Sequence, residues 1–262
     1  MRAAHAHGSR VRLEIAPYGD SAVLATAVGG DDEQRWRAVH RLADLLPAAA
    51  GLGVVATYDS LLVEFDCELT SHREVTAELR GAAARLGERA DGWAGGGAGG
   101  PTDGRVGGGP AGAVAAPAPR TFHVPVAYGG EHGPDLPAVA AELGLPVDEV
   151  VRLHSATPWT VRFLGAPAGA PMLDGSPFPA PVPRRRRPRT RVPAGSVAVA
   201  GLQAVVYPVP SPGGWQLIGR TPLRLIDIDR VPHVAYRPGD VMRFVPVDGL
   251  AGRPDTLLEP DG

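Results

Sequence analysis

Three groups of residues in this 262-residue chain could do chemistry. Glu131, His132 and His154 offer a carboxylate and two imidazoles, the side chains that most readily move protons near neutral pH. Glu131 and His132 lie in the turn-rich run Tyr128-Gly129-Gly130-Glu131-His132-Gly133-Pro134-Asp135. His154 closes a segment with helical spacing, and no fixed interval ties it to Glu131. A helix-end histidine bonded to a backbone carbonyl is therefore the stronger reading of it. The second group is the cationic run Arg184-Arg185-Arg186-Arg187-Pro188-Arg189. Most of such a run is solvated surface, but Arg189, next to the strands that follow, is a candidate for bidentate contact with an anionic ligand.

The third group flanks short apolar segments between residues 193 and 227. Ser196, Gln203, Arg220 and Thr221 sit beside turns, and Trp215 follows Gly213-Gly214. Arg220 can clamp a carboxylate or phosphate, or it can bond the backbone carbonyls of a barrel corner. Gln203 can read an amide or satisfy a turn. Trp215 is expected in the core. Ser196 lacks the Gly-x-Ser-x-Gly frame of an activated nucleophile. No His or Cys cluster has zinc spacing, and His5 with His7 makes no complete metal set.

The elements that must position these groups follow from periodicity. Residues 10–90 alternate paired strands with two helices. The helices are expected over 31–46, with Asp31 or Asp32 as N-cap, and over 71–88; together these elements predict a two-layer α+β sandwich. Residues 91–120 collapse to Gly, Ala and Pro and read as a linker. From 121 onward a strand precedes two short helices, the first capped by Asp135. A strand over 161–164, a loop over 165–171 and short strands over 197–199, 204–207, 215–218 and 223–226 follow. Closely spaced turns of this kind suit a small β-barrel spanning 121–250. Beyond it, 251–262 reads as a polar, frayed tail.

Composition excludes several functions. A net charge of −2 argues against binding nucleic acid by neutralising phosphates. All 26 basic residues are arginine, which removes a P-loop lysine, a Schiff-base lysine and a biotin-carrying lysine from this chain. The glycine cluster over 94–100 neither follows a strand nor opens a helix, so it is not a phosphate loop. Cys67 is the single cysteine and has no partner for an intramolecular disulfide. The first eight residues lack an apolar stretch of signal-peptide length, and no segment is long and apolar enough to span a bilayer. A cytoplasmic location is expected.

Several blocks then resemble a known family. Pro17-Tyr18-Gly19-Asp20-Ser21-Ala22, Tyr58-Asp59-Ser60-Leu61-Leu62-Val63, Tyr128-Gly129-Gly130-Glu131, His154-Ser155, Val192-Pro193-Ala194-Gly195-Ser196-Val197, Ser211-Pro212-Gly213-Gly214-Trp215-Gln216-Leu217-Ile218-Gly219-Arg220-Thr221-Pro222 and Pro238-Gly239-Asp240 occur in order. They resemble the allophanate hydrolase subunit 1 family, which corresponds to subdomains C and D of a carboxyltransferase domain. That family includes the B subunit of bacterial 5-oxoprolinase. The resemblance implies an α+β domain followed by a cyclophilin-like β-barrel.

It implies partners as well: a protein carrying carboxyltransferase subdomains A and B, similar to the C subunit of 5-oxoprolinase, and a protein similar to its A subunit. The implied reaction opens the lactam of 5-oxo-L-proline to L-glutamate as ATP becomes ADP and phosphate. Phosphorylating the amide oxygen creates a leaving group, water attacks, and cationic donors stabilise the anionic oxygens. Glu131, His154 and Arg220 are the catalytic candidates, and Arg189, Ser196, Gln203, Trp215 and Thr221 the substrate-binding ones. The resemblance implies ATP as cofactor, bound by or shared with the complex, and no metal or biotin on this chain. The family also implies two alternatives, a regulatory protein that inhibits a sensor histidine kinase and a component of an allophanate- or urea-processing enzyme. One departure stands out: Ala166, Ala170 and Met172 occupy positions where relatives carry Phe, Phe and Tyr.

Overall fold

In the computed structural model, residues 10–46, 52–90, 118–250 and 256–261 are described. The chain divides into two compact units, Met1–Pro117 and Ala118–Gly262. Strands β1 (Arg12–Tyr18) and β2 (Ala22–Val28) of the first unit form an antiparallel hairpin in register from Arg12↔Val28 to Tyr18↔Ala22. Helix α1 (Asp32–Asp44) begins with a reciprocal cap: Gln34 N–H donates to the Asp31 carboxylate at 2.7 Å, and Asp31 N–H to the Gln34 side chain at 3.0 Å. Such a box satisfies two otherwise orphaned donors and contributes about 1 kcal/mol. Strands β3 (Gly53–Ala56) and β4 (Ser60–Glu64) and helix α2 (His72–Ala90) complete the unit.

Its sheet order is β1-β2-β4-β3, antiparallel throughout. Alternating Val23, Ala25 and Ala27 of β2 and Leu61 and Val63 of β4 turn one face inward, against Val39 and Leu42 of α1 and Val75 and Leu79 of α2. The expected two-layer α+β sandwich is what the chain forms.

The second unit runs β5 (Thr121–Tyr128), α3 (Leu136–Leu143), α4 (Val147–Ala156), β6 (Trp159–Gly165), β7 (Ala170–Asp174), β8 (Arg189–Val192), β9 (Ser196–Ala200), β10 (Gln203–Val206), β11 (Ser211–Gly213), β12 (Gln216–Arg220) and β13 (Val241–Pro246). Seven of these strands close into a barrel in the order β10-β7-β6-β13-β5-β12-β9. The pairing of β13 with β5 is parallel. Buried Asp240 fixes its start by accepting from Arg120 N–H at 3.0 Å, from the Arg120 guanidinium at 2.6 Å and from Arg237 N–H at 3.0 Å.

Every residue of β9 is buried, because both its faces are covered. Val197 and Val199 join the main core with Phe122, Trp159, Ile218, Met242 and Phe244. Ala198 and Ala200 face a smaller apolar layer with Val192, Tyr207, Trp215 and Leu217. The two-stranded antiparallel sheet β11–β8 contributes Val192 to that second layer. The candidate site develops there.

Four expectations need correction. Residues 223–226 are not a strand, although Leu225 is buried; they make only an isolated bridge, Arg224 to Leu257. The segment over 165–171 is not all loop, since Ala170 starts β7 and is buried. The end of the chain is not frayed over 256–261. Arg224 N–H donates to Thr256 O and Leu258 N–H to Arg224 O, each at 2.8 Å, and Leu258 is buried in the main core. One apolar side chain in a polar stretch is enough to dock it. Finally, Asp135 precedes α3 but gives no side-chain cap. The linker expected over 91–120 lies outside the described residues up to 117.

Candidate functional site

The site is built around a tight turn. Gly133 can only be glycine: a Cβ there would stand 2.0 Å from Ile218 O and 2.7 Å from Gly129 N. This close approach lets Asp135 N–H donate to Leu217 O at 3.0 Å, while Leu217 N–H returns to the Asp135 carboxylate at 2.8 Å. The same carboxylate, 6% exposed, accepts a 2.6 Å bond from Arg185 and a two-nitrogen fork from Arg189 at 2.8 and 2.9 Å. Burial pushes its pKa upward, but the Arg189 and Leu217 hydrogen bonds and the charges of Arg189 and Arg185 outweigh that and hold it below the ordinary carboxylate value.

Arg189, expected to grip a ligand, is thus consumed in holding the arginine-rich strap to the barrel. Arg185 N–H adds a 2.8 Å bond to Gly214 O. Asp135 is the residue that sequence reasoning misplaces: an aspartate before a helix reads as a cap, and nothing local signals arginines 50 and 54 residues away.

Beside the strap lies an open groove of about 360 Å³. Trp215, Tyr207, Phe163 and Met172 wall it, and the loop carrying Ala166 and Pro167 borders it. Ala166, Ala170 and Met172 therefore line one groove, and two alanines leave it wider than aromatic side chains would. Tyr207 reaches it beneath Gly213, where a Cβ would be 2.4 Å from the phenol oxygen. Burial raises the Tyr207 pKa, opposed by the charges of Arg184 and Arg189. The Arg184 guanidinium lies 5.6 Å over the Trp215 ring. Trp215 is thus both core, as expected, and groove wall.

The other candidates separate into four places. Ser196, Arg220 and Thr221 meet at a barrel corner: Ser196 pairs with Arg220 across β9–β12, and Thr221 N–H donates to Gly195 O at 2.9 Å. Arg220 Nε–H donates to Ala194 O at 3.0 Å, as a barrel-corner arginine does. Ser196 and Thr221 are buried, and the Thr221 hydroxyl accepts from Leu223 N–H at 3.3 Å. Gln203 donates to Asp174 at 3.3 Å on the β7–β10 ladder.

Glu131 and His154 do not form an acid–base pair. The Glu131 side chain is 88% exposed, whereas His154 is sealed among Trp159, Phe178 and Phe244. Its Nδ1 is 2.7 Å from the Tyr128 hydroxyl, so a phenol satisfies it and not a backbone carbonyl. Burial lowers its pKa to about 3 and raises that of Tyr128. Both stay neutral near pH 7, and the ring is a core element. Among the described residues, no three His, Cys, Asp or Glu side chains gather as a metal site, and no helix is long and apolar enough to cross a membrane.

Several known proteins are similar to this chain. The chain is 51% identical over 130 residues to the 5-oxoprolinase B subunit of Escherichia coli O157:H7, covering 50% of this chain and 60% of that protein. It is 46% identical over 126 residues to the 5-oxoprolinase B subunit of Bacillus subtilis (strain 168), covering 48% and 52%. These matches span little more than half the length of the curated relatives. The crystal structure of TTHA0988 is similar over 90% of this chain and 41% of its own, at 31% identity and a TM-score of 0.64. The K. lactis urea amidolyase shares the fold at 17% identity and a TM-score of 0.63, over 91% of this chain and 15% of its own. Residues 13–236 match the family model for the carboxyltransferase domain, subdomain C and D, and the chain belongs to that family.

Proposed function

We propose that this chain is the B-type component of an ATP-dependent 5-oxoprolinase complex, which opens 5-oxo-L-proline to L-glutamate with formation of ADP and phosphate. The observation that carries the reading is the 51% identity over 130 residues to a protein named as the B subunit of 5-oxoprolinase. The groove beside Trp215 supports it: it is open, small and partly apolar, as a site for a small ring amide must be.

The chain acts with a carboxyltransferase A/B-type partner, similar to the C subunit of 5-oxoprolinase, and with a protein similar to its A subunit. A triphosphate needs several cations or a row of backbone N–H groups. The groove lining includes one charged side chain, Arg184, which favours assigning ATP to the partner proteins. This chain's contribution is then to bind and orient the lactam.

Reconstitution tests the reading. The chain is co-expressed with these two partners, and glutamate and phosphate are measured with 5-oxoproline and ATP added singly and together. Glutamate formed only with both is the expected result. An assembled, folded complex that forms none with both present overturns it.

A further inference from the structure

The strap carries more positive charge than the barrel neutralises. Arg185 and Arg189 share the Asp135 carboxylate. Arg184, adjacent to Arg185, points elsewhere: its guanidinium covers the Trp215 indole at the groove, and among the described residues it has no acidic partner. A guanidinium stacked on an aromatic face keeps its N–H edges free and loses little rotamer freedom on meeting an anion. The Tyr207 hydroxyl lines the same groove and makes no hydrogen bond within the described residues. The remaining walls, Phe163, Met172, Val205 and Pro212 among them, carry no charge. A single cation matches a single negative charge, and the apolar walls match a compact hydrocarbon body.

We propose that Arg184, stacked on Trp215, is the recognition residue for the carboxylate of a small cyclic monocarboxylate whose ring packs in the groove and whose second polar group meets the Tyr207 hydroxyl. If the ligand is 5-oxo-L-proline, this rests on the reading above and assigns its carboxylate, the part that does not react, to Arg184. The lactam is then the group that meets the Tyr207 hydroxyl. A residue that holds a group remote from the reacting bond orients the substrate and takes no part in bond making or breaking.

The test uses the full-length chain, R184Q, and R186Q as a control altering an exposed arginine of the same strap. Calorimetric titration with three probes separates the contributions: 5-oxo-L-proline, 2-pyrrolidinone (the same lactam without the carboxylate) and cyclopentanecarboxylate (the carboxylate without the lactam). We expect R184Q to weaken both carboxylates about tenfold or more, to leave 2-pyrrolidinone unchanged, and R186Q to match the wild type. The proposal is overturned if the wild type prefers neither carboxylate to 2-pyrrolidinone, or if R184Q binds them as the wild type does. Equal losses in R184Q and R186Q overturn it too.

The two proposals fail separately. Arg184-dependent binding of cyclopentanecarboxylate, with a reconstituted complex that cannot open 5-oxoproline, keeps this inference and removes the 5-oxoprolinase reading. Turnover of 5-oxoproline with a KM unchanged by R184Q does the reverse.

Discussion

The Asp135 carboxylate receives both terminal nitrogens of Arg189, at 2.8 and 2.9 Å, across 54 residues of sequence. That fork joins the turn before α3 to the strap that borders the groove, so the groove's geometry depends on a residue that does not line it. Removing one partner of a buried ion pair leaves the other charge uncompensated. Asp135→Ala is expected to cost about 3 kcal/mol in urea unfolding and to widen the strap's exchange with solvent. Hydrogen exchange at Arg185 N–H, which otherwise donates to Gly214 O, is the local readout. Unchanged exchange there would mean the strap is held by something else.

His154 gives the fold a specific response to acid. Its folded pKa is about 3, against about 6.5 for an unperturbed histidine. Below pH 6.5 the unfolded chain binds a proton that the folded chain refuses. Stability from this group is therefore full above that value and falls as pH drops toward 3, by up to about 1.4 kcal/mol per pH unit. The depressed Asp135 pKa acts lower, its contribution being present above the ordinary carboxylate value and lost as pH falls below it. Urea unfolding of wild type and His154→Phe at pH 7.5, 6.5 and 5.5 separates the two. The variant is expected to lose the slope across that window, with a constant penalty of about 1–3 kcal/mol for the abandoned Tyr128 hydroxyl.

Gly133→Ala is expected to destabilise by about 3 kcal/mol, since its Cβ would meet backbone atoms that cannot rotate away. Gly130→Ala has open space around it, and its φ of +53° limits the cost to about 1 kcal/mol. Thermal melts of the two variants, which sit in one turn and share its surroundings, distinguish steric collision from backbone preference.

Ala166→Phe restores an aromatic to the groove border at an exposed position. Its melting temperature is expected to stay within about 2 °C of the wild type, since exposed substitutions change stability by less than about 0.5 kcal/mol. The KM of the reconstituted complex for 5-oxoproline is expected to shift at least threefold. A KM that does not move removes this loop from substrate binding.

How far the sequence reaches is clearest in single residues. Asp31 announces α1 because capping is local: donor and acceptor lie three residues apart. The barrel strands over 196–200 and 203–206 are legible as apolar runs between turns, and the family blocks name the barrel. Asp135, Arg189 and His154 mislead for one shared reason. Their partners, Arg185, Asp135 and Tyr128, are distant in sequence, so a charged or polar side chain that looks available is already engaged. Leu258 illustrates the converse, a lone apolar residue whose receptor, the β-barrel core, no local pattern reveals.

Pairing across the barrel also sets an order of assembly. Strand β5 finds its parallel neighbour in β13, and the Arg120–Asp240 bond that starts this ladder spans 120 residues. On a translating ribosome β5 emerges early and keeps that edge unpaired until residues through 246 have left the exit tunnel. The α+β unit, whose strands pair within 12–64, needs no such wait. Synthesis therefore leaves a finished first unit trailing an open sheet, a nascent species whose bare edge invites chaperone capture until the last strand arrives.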